Sequence, residues 1–248
     1  MLCCGTSTPD VLLPGHGLMV QGELGLPSCE VITTAGICLC GITSFKTAYA
    51  NVALGLSDNA VSNGPQLASS LIQSSFFEHL HGDRDFKNHP VLPFESDFLR
   101  WMLSDGAGAV LLSQAPTPAL GRGVRIRLRW VHQKSFAGDY PVCMQLGLSP
   151  EGARSYLDYV CCGEAEAGGA LALRQNIRLL PHLFDVAIHE YASLVRGGWV
   201  DPATVDHFLC HYSSARFEGV VDDLMQQAGM AIPKERWFSN LRWRGNTG

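Results

Sequence analysis

The stretch VITTAGICLCGITSFKTAYA, residues 31–50, decides the fold class of this chain. A short, largely apolar run at 29–34 predicts a buried strand. Apolar residues then recur at helical spacing from 38 to 54, and the opposite face carries small or weakly polar residues, so we predict a helix buried on nearly all sides. A buried strand that leads directly into a buried helix is typical of an α/β fold.

Strand and helix patterns alternate along the rest of the chain, as they do in βαβ units. Further strands are predicted at 60–63, 107–112, 124–130 and 205–210. Helices are predicted at 14–25, 66–77, 171–195 (interrupted at Pro181) and 217–228, and a polar loop at 79–93. No internal repeat or low-complexity stretch interrupts this order.

The composition is that of a folded protein with few charges. Of its 248 residues, 46% are hydrophobic and 17% are charged, against about 25% charged in a typical soluble domain. This excludes disorder as the main state and suggests that a partner subunit or further chain covers part of the surface. The net charge of −5 argues against a nucleic-acid partner. Since no apolar run approaches the roughly 18 residues of a membrane span and no secretory signal is visible, we expect a cytoplasmic protein with no membrane partner.

Nine cysteines are scattered along the chain, an odd number that argues for reduced thiols rather than a disulfide framework. Cys38 and Cys40 are separated by one residue instead of the two of a zinc knuckle, and no paired histidines follow. We therefore expect no metal site. The open question is whether one of the thiols is a catalytic nucleophile.

Three residues combine suitable chemistry with suitable positions. Cys38 lies between a predicted strand and helix, where ligands collect in α/β sheets and where the helix dipole is expected to lower the pKa of the thiol. His211 lies at a second such junction, and its imidazole can hydrogen-bond a carbonyl. Asn246, in a glycine-flanked turn, carries an amide NH₂ that can donate to an oxyanion. Taken singly, each is more often a structural residue: a core thiol, a strand-end histidine or a turn asparagine.

Five motifs set these residues in a common pattern. They are a strand and helix at 5–25, the turn at 34–41, the run LSDGAGAV at 103–110, the histidine motif at 211–216 and GNT at 245–247. Their order resembles that of the β-ketoacyl-acyl-carrier-protein synthase III family, condensing enzymes of the thiolase fold. Cys38 takes the place of the nucleophile, because Gly41, Phe45 and Ala48 then match residues of the family's helix.

The sequence departs from the family pattern at three positions. Ser104, Tyr212 and Ser214 stand where the family usually has Gly, Gln and Asn. The last two changes alter the hydrogen bonding around His211, which leaves the substrate and the subclass open. Family chains also begin earlier and continue past Asn246, so we expect this chain to be a fragment that is truncated at both ends.

The resemblance implies a thiolase-like fold, a layered α/β/α/β/α architecture with two related halves. The remainder of the N-terminal half, at 1–115, would carry the nucleophile, and the C-terminal half, at 116–248, would lack its last strands. It also implies a homodimer, whose contact we expect at the predicted strand 60–63.

The resemblance further implies an acyltransferase that catalyses decarboxylative Claisen condensation in fatty acid or related polyketide biosynthesis. Cys38 would take an acyl group from a thioester. His211 and Asn246 would then stabilise the enolate of a malonyl or other β-keto acyl thioester. Acyl-CoA and acyl carrier protein would be the substrate and the partner, with no resident cofactor.

Arginines near the predicted site offer a docking surface. Arg216 resembles the family's carrier-docking arginine. Other arginines alternate with tryptophan and can form a basic patch for an acidic carrier protein or a CoA phosphate: Arg236, Trp237, Arg242, Trp243 and Arg244. Ordinary solvated arginines explain these residues equally well. A further set is assigned to the solvated face of the predicted strand at 124–130: Arg125, Arg127 and Arg129.

Several alternatives remain open. The pattern at 98–103 also resembles, more weakly, condensing enzymes that form dialkylresorcinols or cyclohexanediones. A non-catalytic thiolase-fold partner subunit or an inactive fragment is a second possibility. A papain-like hydrolase shares the order Cys, His, Asn, but its nucleophile motif is absent, since Cys38 is followed by Leu-Cys-Gly.

Overall fold

The structure of the chain, a computed structural model, describes residues 1–73, 94–114 and 124–247. Unit 1 comprises Met1–Leu71, Ser104–Pro141 and Thr247–Gly248, and unit 2 comprises Ile72–Leu103 and Val142–Asn246. These units group residues that lie close together in space. The division into two related halves, at 1–115 and 116–248, stays a prediction.

Unit 1 is built around a four-stranded sheet with the strand order β2-β1-β3-β4. The strands are β1 (Leu2–Gly5), β2 (Val31–Thr34), β3 (Asn59–Gln66) and β4 (Gly106–Ser113). β1 is parallel to both neighbours, with Cys3 opposite Ile32 and Ser62, whereas β3 and β4 are antiparallel. The strands predicted at 29–34, 60–63 and 107–112 are confirmed, but the expected burial of the first is wrong, because β2 is an edge strand whose residues are at most half-buried. The parallel pairs require crossover connections.

Helices form these crossovers. The connection from β1 to β2 contains α1 (His16–Glu23), and that from β2 to β3 contains α2 (Cys40–Ala53). α2 packs through one face whose buried residues are four apart: Cys40, Ser44, Ala48 and Val52. This face meets Cys3 and Ala60 of the sheet in the hydrophobic core. Ile42 on another face is 47% exposed, so the helix is confirmed but its expected burial on nearly all sides is wrong.

The end of β1 lies directly against the first turn of α2. A β-carbon at Gly5 would overlap the backbone carbonyl group of Cys40. On the neighbouring strand, a β-carbon at Gly64 would lie 3.4 Å from the Cα of Gly41. Because the overlap at Gly5 involves backbone atoms, which cannot rotate away, glycine at position 5 sets how closely the helix approaches the sheet.

Gly5→Ala is therefore expected to lower the free energy of unfolding by about 2–3 kcal/mol, because the added methyl group forces β1 and α2 apart. Urea unfolding followed by circular dichroism measures this loss. Gly22→Ala in α1 is the matched control, since a β-carbon there meets no atom within 4 Å. Equal unfolding midpoints for the two variants would contradict the prediction.

The predicted helix at 66–77 is wrong over its described part. Gln66 is the last residue of β3, and Ala68–Ser70 form a single 3₁₀ turn. Asp105 stabilises this turn, because its carboxylate accepts hydrogen bonds from the backbone amide of Ser69 at 2.8 Å and from the Ser69 hydroxyl at 2.6 Å. Residues 74–77 and the predicted loop at 79–93 lie outside the described residues.

The predicted strand at 124–130 is also wrong. Its apolar side chains Val124 and Ile126 are 91% and 87% exposed, so within the described residues the alternating pattern has no sheet surface to pack against. The segment nevertheless contacts α2, since the hydroxyl of Tyr49 donates to the carbonyl oxygen of Arg129 at 3.4 Å. The three arginines of the segment are exposed, as expected.

The described part of unit 2 is largely helical. Its α-helices are α3 (Phe94–Met102), α4 (Cys162–Ala167), α5 (Leu180–Arg196), α6 (Glu218–Gln227) and α7 (Leu241–Arg244). A short antiparallel pair joins β5 (Met144–Gln145) to β6 (Arg174–Gln175). The helix predicted at 217–228 is confirmed. The helix predicted at 171–195 is wrong over 171–179, which contain β6 and a 3₁₀ turn, and is confirmed from Leu180 onward. Pro181 lies in the first turn of α5, where a missing N–H costs nothing, so it does not interrupt the helix.

The expected dimer contact at 60–63 stays a prediction, but these residues cannot make it by strand-to-strand backbone pairing. These residues belong to β3, which pairs with β1 on one side and with β4 on the other. Its backbone hydrogen-bonding groups are therefore occupied at both edges. In the described sheet of unit 1, the edge strands are β2 and β4. Within 1–73, 94–114 and 124–247, no helix has the length and apolar character to cross a membrane.

Candidate active site

Cys38 lies in the turn between the end of β2 and the start of α2, as predicted. Gly36 opens this turn with a φ of 145°, a conformation that residues with a β-carbon rarely adopt. The amide of Cys40 donates to the carbonyl oxygen of Ile37 at 3.2 Å and closes the turn. The Cys38 side chain is half-buried, so the thiol is enclosed without being sealed in the core.

Two hydroxyl groups hold this turn from neighbouring strands. Thr34, the last residue of β2, donates its Oγ1 hydroxyl to the carbonyl oxygen of Cys40 at 2.8 Å. Ser7, just beyond β1, donates its Oγ hydroxyl to the carbonyl oxygen of Ile37 at 3.0 Å and lies 3.6 Å from Sγ of Cys40. Sequence reasoning missed both roles. The available signal is a hydroxyl residue at the carboxyl end of each strand.

Burial raises the pKa of the Cys38 thiol, and the neighbouring Cys40 thiol raises it further. A hydrogen bond with the residue's own backbone lowers the pKa by less. The expected low pKa is therefore wrong. Cys38 lies before the first residue of α2, and the loss of solvation outweighs the stabilisation that the helix dipole gives a thiolate.

This raised pKa predicts slow alkylation of Cys38 at neutral pH. Only the thiolate reacts, and burial favours the neutral thiol, so the rate should keep rising beyond about pH 8.5, the ordinary cysteine midpoint. Iodoacetamide labelling followed by peptide mass analysis gives the rate at each pH. A pH–rate profile whose midpoint lies at or below about pH 8.5 would contradict the expected direction.

His211 follows the segment 205–210 and precedes a 3₁₀ turn and α6 in unit 2. Its side chain keeps contact with solvent, whereas the next residue, Tyr212, is buried. Neighbouring protein atoms still desolvate the ring, which lowers the pKa of His211 below its ordinary value. The imidazole is therefore neutral at pH 7, with one N–H donor and one acceptor nitrogen.

The segment before His211 is not the strand that the sequence predicts. In the described part of the chain, Phe208 is the one residue of 205–210 that forms a bridge, parallel to Trp237. Its amide donates to the carbonyl oxygen of Arg236 at 2.8 Å, and its carbonyl accepts the amide of Phe238 at 2.9 Å. These bonds hold the approach to His211 against residues 236–238.

Asn246 is buried, with 3% of its surface exposed. Gly245 before it has a φ of 70°, as a glycine turn requires, and Asn246 bridges in parallel to Leu103 of the same unit. Cys38 belongs to unit 1, whereas His211 and Asn246 belong to unit 2. The convergence of the three groups in one site stays a prediction.

Two residues of the predicted basic patch have structural roles. Arg236 donates through Nη1 to the carbonyl oxygens of Ala203 and Val205, at 2.9 and 2.8 Å. Trp237 donates its Nε1–H to the carbonyl oxygen of Ile232 at 2.8 Å. Both side chains therefore stabilise the local fold.

The remaining patch residues are exposed. They are Arg216, Arg242, Trp243 (79% exposed) and Arg244. The positive charge of Arg242 helps to lower the pKa of Glu218, the first residue of α6, so the two groups lie close together. Arg216 lies in the turn that leads into the same helix. A narrower basic surface thus remains near the start of α6.

Known proteins share this arrangement of elements. The chain is 22% identical over 259 residues to β-ketoacyl-acyl-carrier-protein synthase III 2 of Deinococcus radiodurans, covering 100% of the chain and 61% of the relative. The crystal structure of FabH, the 3-oxoacyl-acyl-carrier-protein synthase III of Pseudomonas aeruginosa PAO1, matches with a TM-score of 0.62 and 19% identity. The match covers 99% of this chain and 63% of the FabH chain. The chain has the fold of the synthase III enzymes.

The chain is also similar in structure to a condensing enzyme that is not named as a synthase III. AbyA1, a tetronic acid condensing enzyme, matches with a TM-score of 0.66 and 16% identity, over 100% of the chain and 65% of AbyA1. No family model matches the chain. The chain spans 61% of the length of its curated synthase III relative. The predicted thiolase-like fold and the resemblance to synthase III are confirmed.

Proposed function

We propose that this protein is an acyltransferase that catalyses decarboxylative Claisen condensation in fatty acid or related biosynthesis. The observation that carries this proposal is the turn around Cys38. A half-buried thiol lies between β2 and α2, and hydroxyl groups from two strands hold the backbone on either side of it. The synthase III fold of the whole chain supports the same conclusion.

In the first step, Cys38 loses its proton and its sulfur attacks the carbonyl carbon of an acyl-CoA thioester. A new carbon–sulfur bond forms, the bond to the CoA sulfur breaks, and the released CoA takes up a proton. The product is an acyl group held on Cys38 as a thioester, which is covalent catalysis. The enclosed position of the thiol favours this step by limiting hydrolysis of the intermediate.

In the second step, a malonyl thioester bound to a carrier protein loses CO₂. The electron pair of the broken bond passes to the thioester carbonyl oxygen as an enolate. His211 and Asn246 are proposed to donate hydrogen bonds to this oxygen. The enolate carbon then attacks the acyl carbon on Cys38, a carbon–carbon bond forms, and the Cys38 sulfur leaves and regains a proton.

The proposed partners are an acyl carrier protein and a second copy of the chain. An acidic carrier would meet the exposed surface of Arg216, Arg242, Trp243 and Arg244. A homodimer would use an edge of the unit 1 sheet, since the inner strand β3 is paired on both sides. Sedimentation at micromolar protein concentration tests the dimer.

A second candidate function is that of a non-catalytic partner subunit of an active condensing enzyme. The raised pKa of Cys38 favours it, because less thiolate is present at neutral pH to start the reaction. Such a subunit would retain the fold and bind a catalytic homologue without forming an acyl-enzyme.

One experiment separates the two functions. The protein is incubated with a panel of acyl-CoA donors and malonyl-loaded carrier protein, and both the intact protein and the products are analysed by mass spectrometry. A condensing enzyme gains the mass of the acyl group and releases a β-keto acyl thioester. If no donor produces either change, the proposal is overturned in favour of the partner subunit.

A further inference from the structure

Tyr212 follows His211 directly, and the two side chains have opposite environments. His211 is open to solvent, whereas Tyr212 is only 7% exposed. The Tyr212 hydroxyl donates to Oε2 of Glu218 at 2.9 Å and also interacts with the side chain of Ser239. Glu218 is the first residue of α6. The residue after the histidine therefore ties the His211 segment to the next helix.

The acceptor of this hydrogen bond is a carboxylate. Hydrogen bonds from Tyr212 and Lys234 lower the pKa of Glu218, so it is ionised at neutral pH. Its Oε1 accepts a hydrogen bond from Nζ of Lys234 at 3.1 Å, and the same Nζ lies 3.6 Å from Asp222. A hydrogen bond to an ionised acceptor is shorter and stronger than one between neutral groups.

Lys234 extends the network to the other side of His211. Its Nζ lies 3.7 Å from the ring centroid of Trp237. The Trp237 ring packs edge-on against Phe208, with centroids 4.9 Å apart. Phe208 precedes His211 by three residues, so the chain is held both before and after the imidazole.

We propose that Tyr212 and Glu218 are positioning residues for His211, an inference that rests on the proposed function. The bond between the Tyr212 hydroxyl and the Glu218 carboxylate fixes the backbone that presents the imidazole to the malonyl thioester. Tyr212 itself touches no substrate, because its ring is buried.

Tyr212→Phe removes only the hydroxyl and tests the proposal. Acylation of Cys38 by acyl-CoA is expected to stay within twofold, because His211 has no part in that step. The rate of condensation with the malonyl carrier is expected to fall about tenfold or more, because one hydrogen bond to a charged group is lost. Tyr191→Phe is the matched control, since its hydroxyl bonds the Met230 carbonyl oxygen at 3.5 Å, and it should leave both rates unchanged.

Glu218 provides the rescue experiment. Glu218→Gln keeps an acceptor oxygen for Tyr212 and should retain most of the condensation rate, whereas Glu218→Ala should lose as much as Tyr212→Phe. The double variant of Tyr212→Phe and Glu218→Ala should be no slower than either single variant. An unchanged condensation rate in Tyr212→Phe, additive losses, or a parallel fall in acylation would each overturn the proposal.

Proton NMR tests the positioning of His211 without depending on enzyme activity. The imidazole signals of His211 are identified by their disappearance in His211→Asn. They are expected to shift or broaden in Tyr212→Phe and to stay in place in Tyr191→Phe. Should the wild-type protein form no acyl-enzyme, a shifted signal would support the positioning role although the proposed function fails. An unmoved signal would overturn the positioning role itself.

Discussion

Cys38→Ala is expected to abolish formation of the acyl-enzyme, so that the intact mass of the protein no longer increases after incubation with acyl-CoA. The alanine side chain has no atom that can form a thioester, and the loss is therefore complete rather than partial. The fold should remain, because the half-buried thiol contributes little to the core and the hydrogen bonds of Ser7 and Thr34 reach backbone atoms. Circular dichroism checks this retention.

Other cysteines serve as controls for this result. Cys161 is exposed, so Cys161→Ala removes an accessible thiol but should leave the acyl adduct in place. Cys40 is 6% exposed and lies against Ser7, so Cys40→Ala should also retain the adduct. An adduct that persists in Cys38→Ala, and that peptide mapping places on Cys40, would transfer the nucleophile to the neighbouring thiol.

The strand β2 and the helix α2 could be predicted because their local patterns agree with their tertiary environment. The strand that ends at Thr34 pairs with β1, and the small residues of α2 repeat at the spacing that fits a sheet surface. The extent of burial was wrong for both elements, since β2 is at most half-buried. The spacing places Ile42 on the helix, but it does not say that unit 1 leaves this face open.

The predicted strands at 124–130 and 205–210 are wrong because a local sequence pattern does not supply a pairing partner. A strand needs a neighbour for its backbone groups and a surface for its apolar side chains. Among the described residues, the side chain of Val124 is 91% exposed and its segment pairs with no strand, and Phe208 has a single bridge to Trp237.

The roles of the candidate site residues stay predictions, and only some of their positions agree with the sequence analysis. Cys38 lies at the predicted junction of β2 and α2 and Asn246 follows the predicted glycine turn, whereas His211 precedes a helix but follows no strand. The pKa of Cys38 depends on how much protein surrounds the sulfur, which no local pattern encodes, and burial reversed the expected direction. The structural role of Arg236 likewise depends on distant carbonyl groups.

His211→Ala and Asn246→Ala are each expected to slow condensation by about 10²–10³-fold, the usual cost of removing one oxyanion donor. Acylation of Cys38 should be little changed in both variants, because the enolate forms only in the second step. Release of CO₂ from the malonyl carrier and formation of the β-keto product measure the loss. The lowered pKa of His211 keeps its ring neutral at pH 7, so one N–H is available to donate.

Matched controls come from the same unit. His207 is exposed, and Asn240 makes no side-chain cap bond at the start of α7, so His207→Ala and Asn240→Ala should keep the wild-type rate. If the two groups share one enolate oxygen, the double variant of His211→Ala and Asn246→Ala should be faster than the product of the two single losses predicts. Fully multiplicative losses would show that the two side chains act independently rather than as a unit, and full activity in either single variant would remove that residue from the oxyanion site.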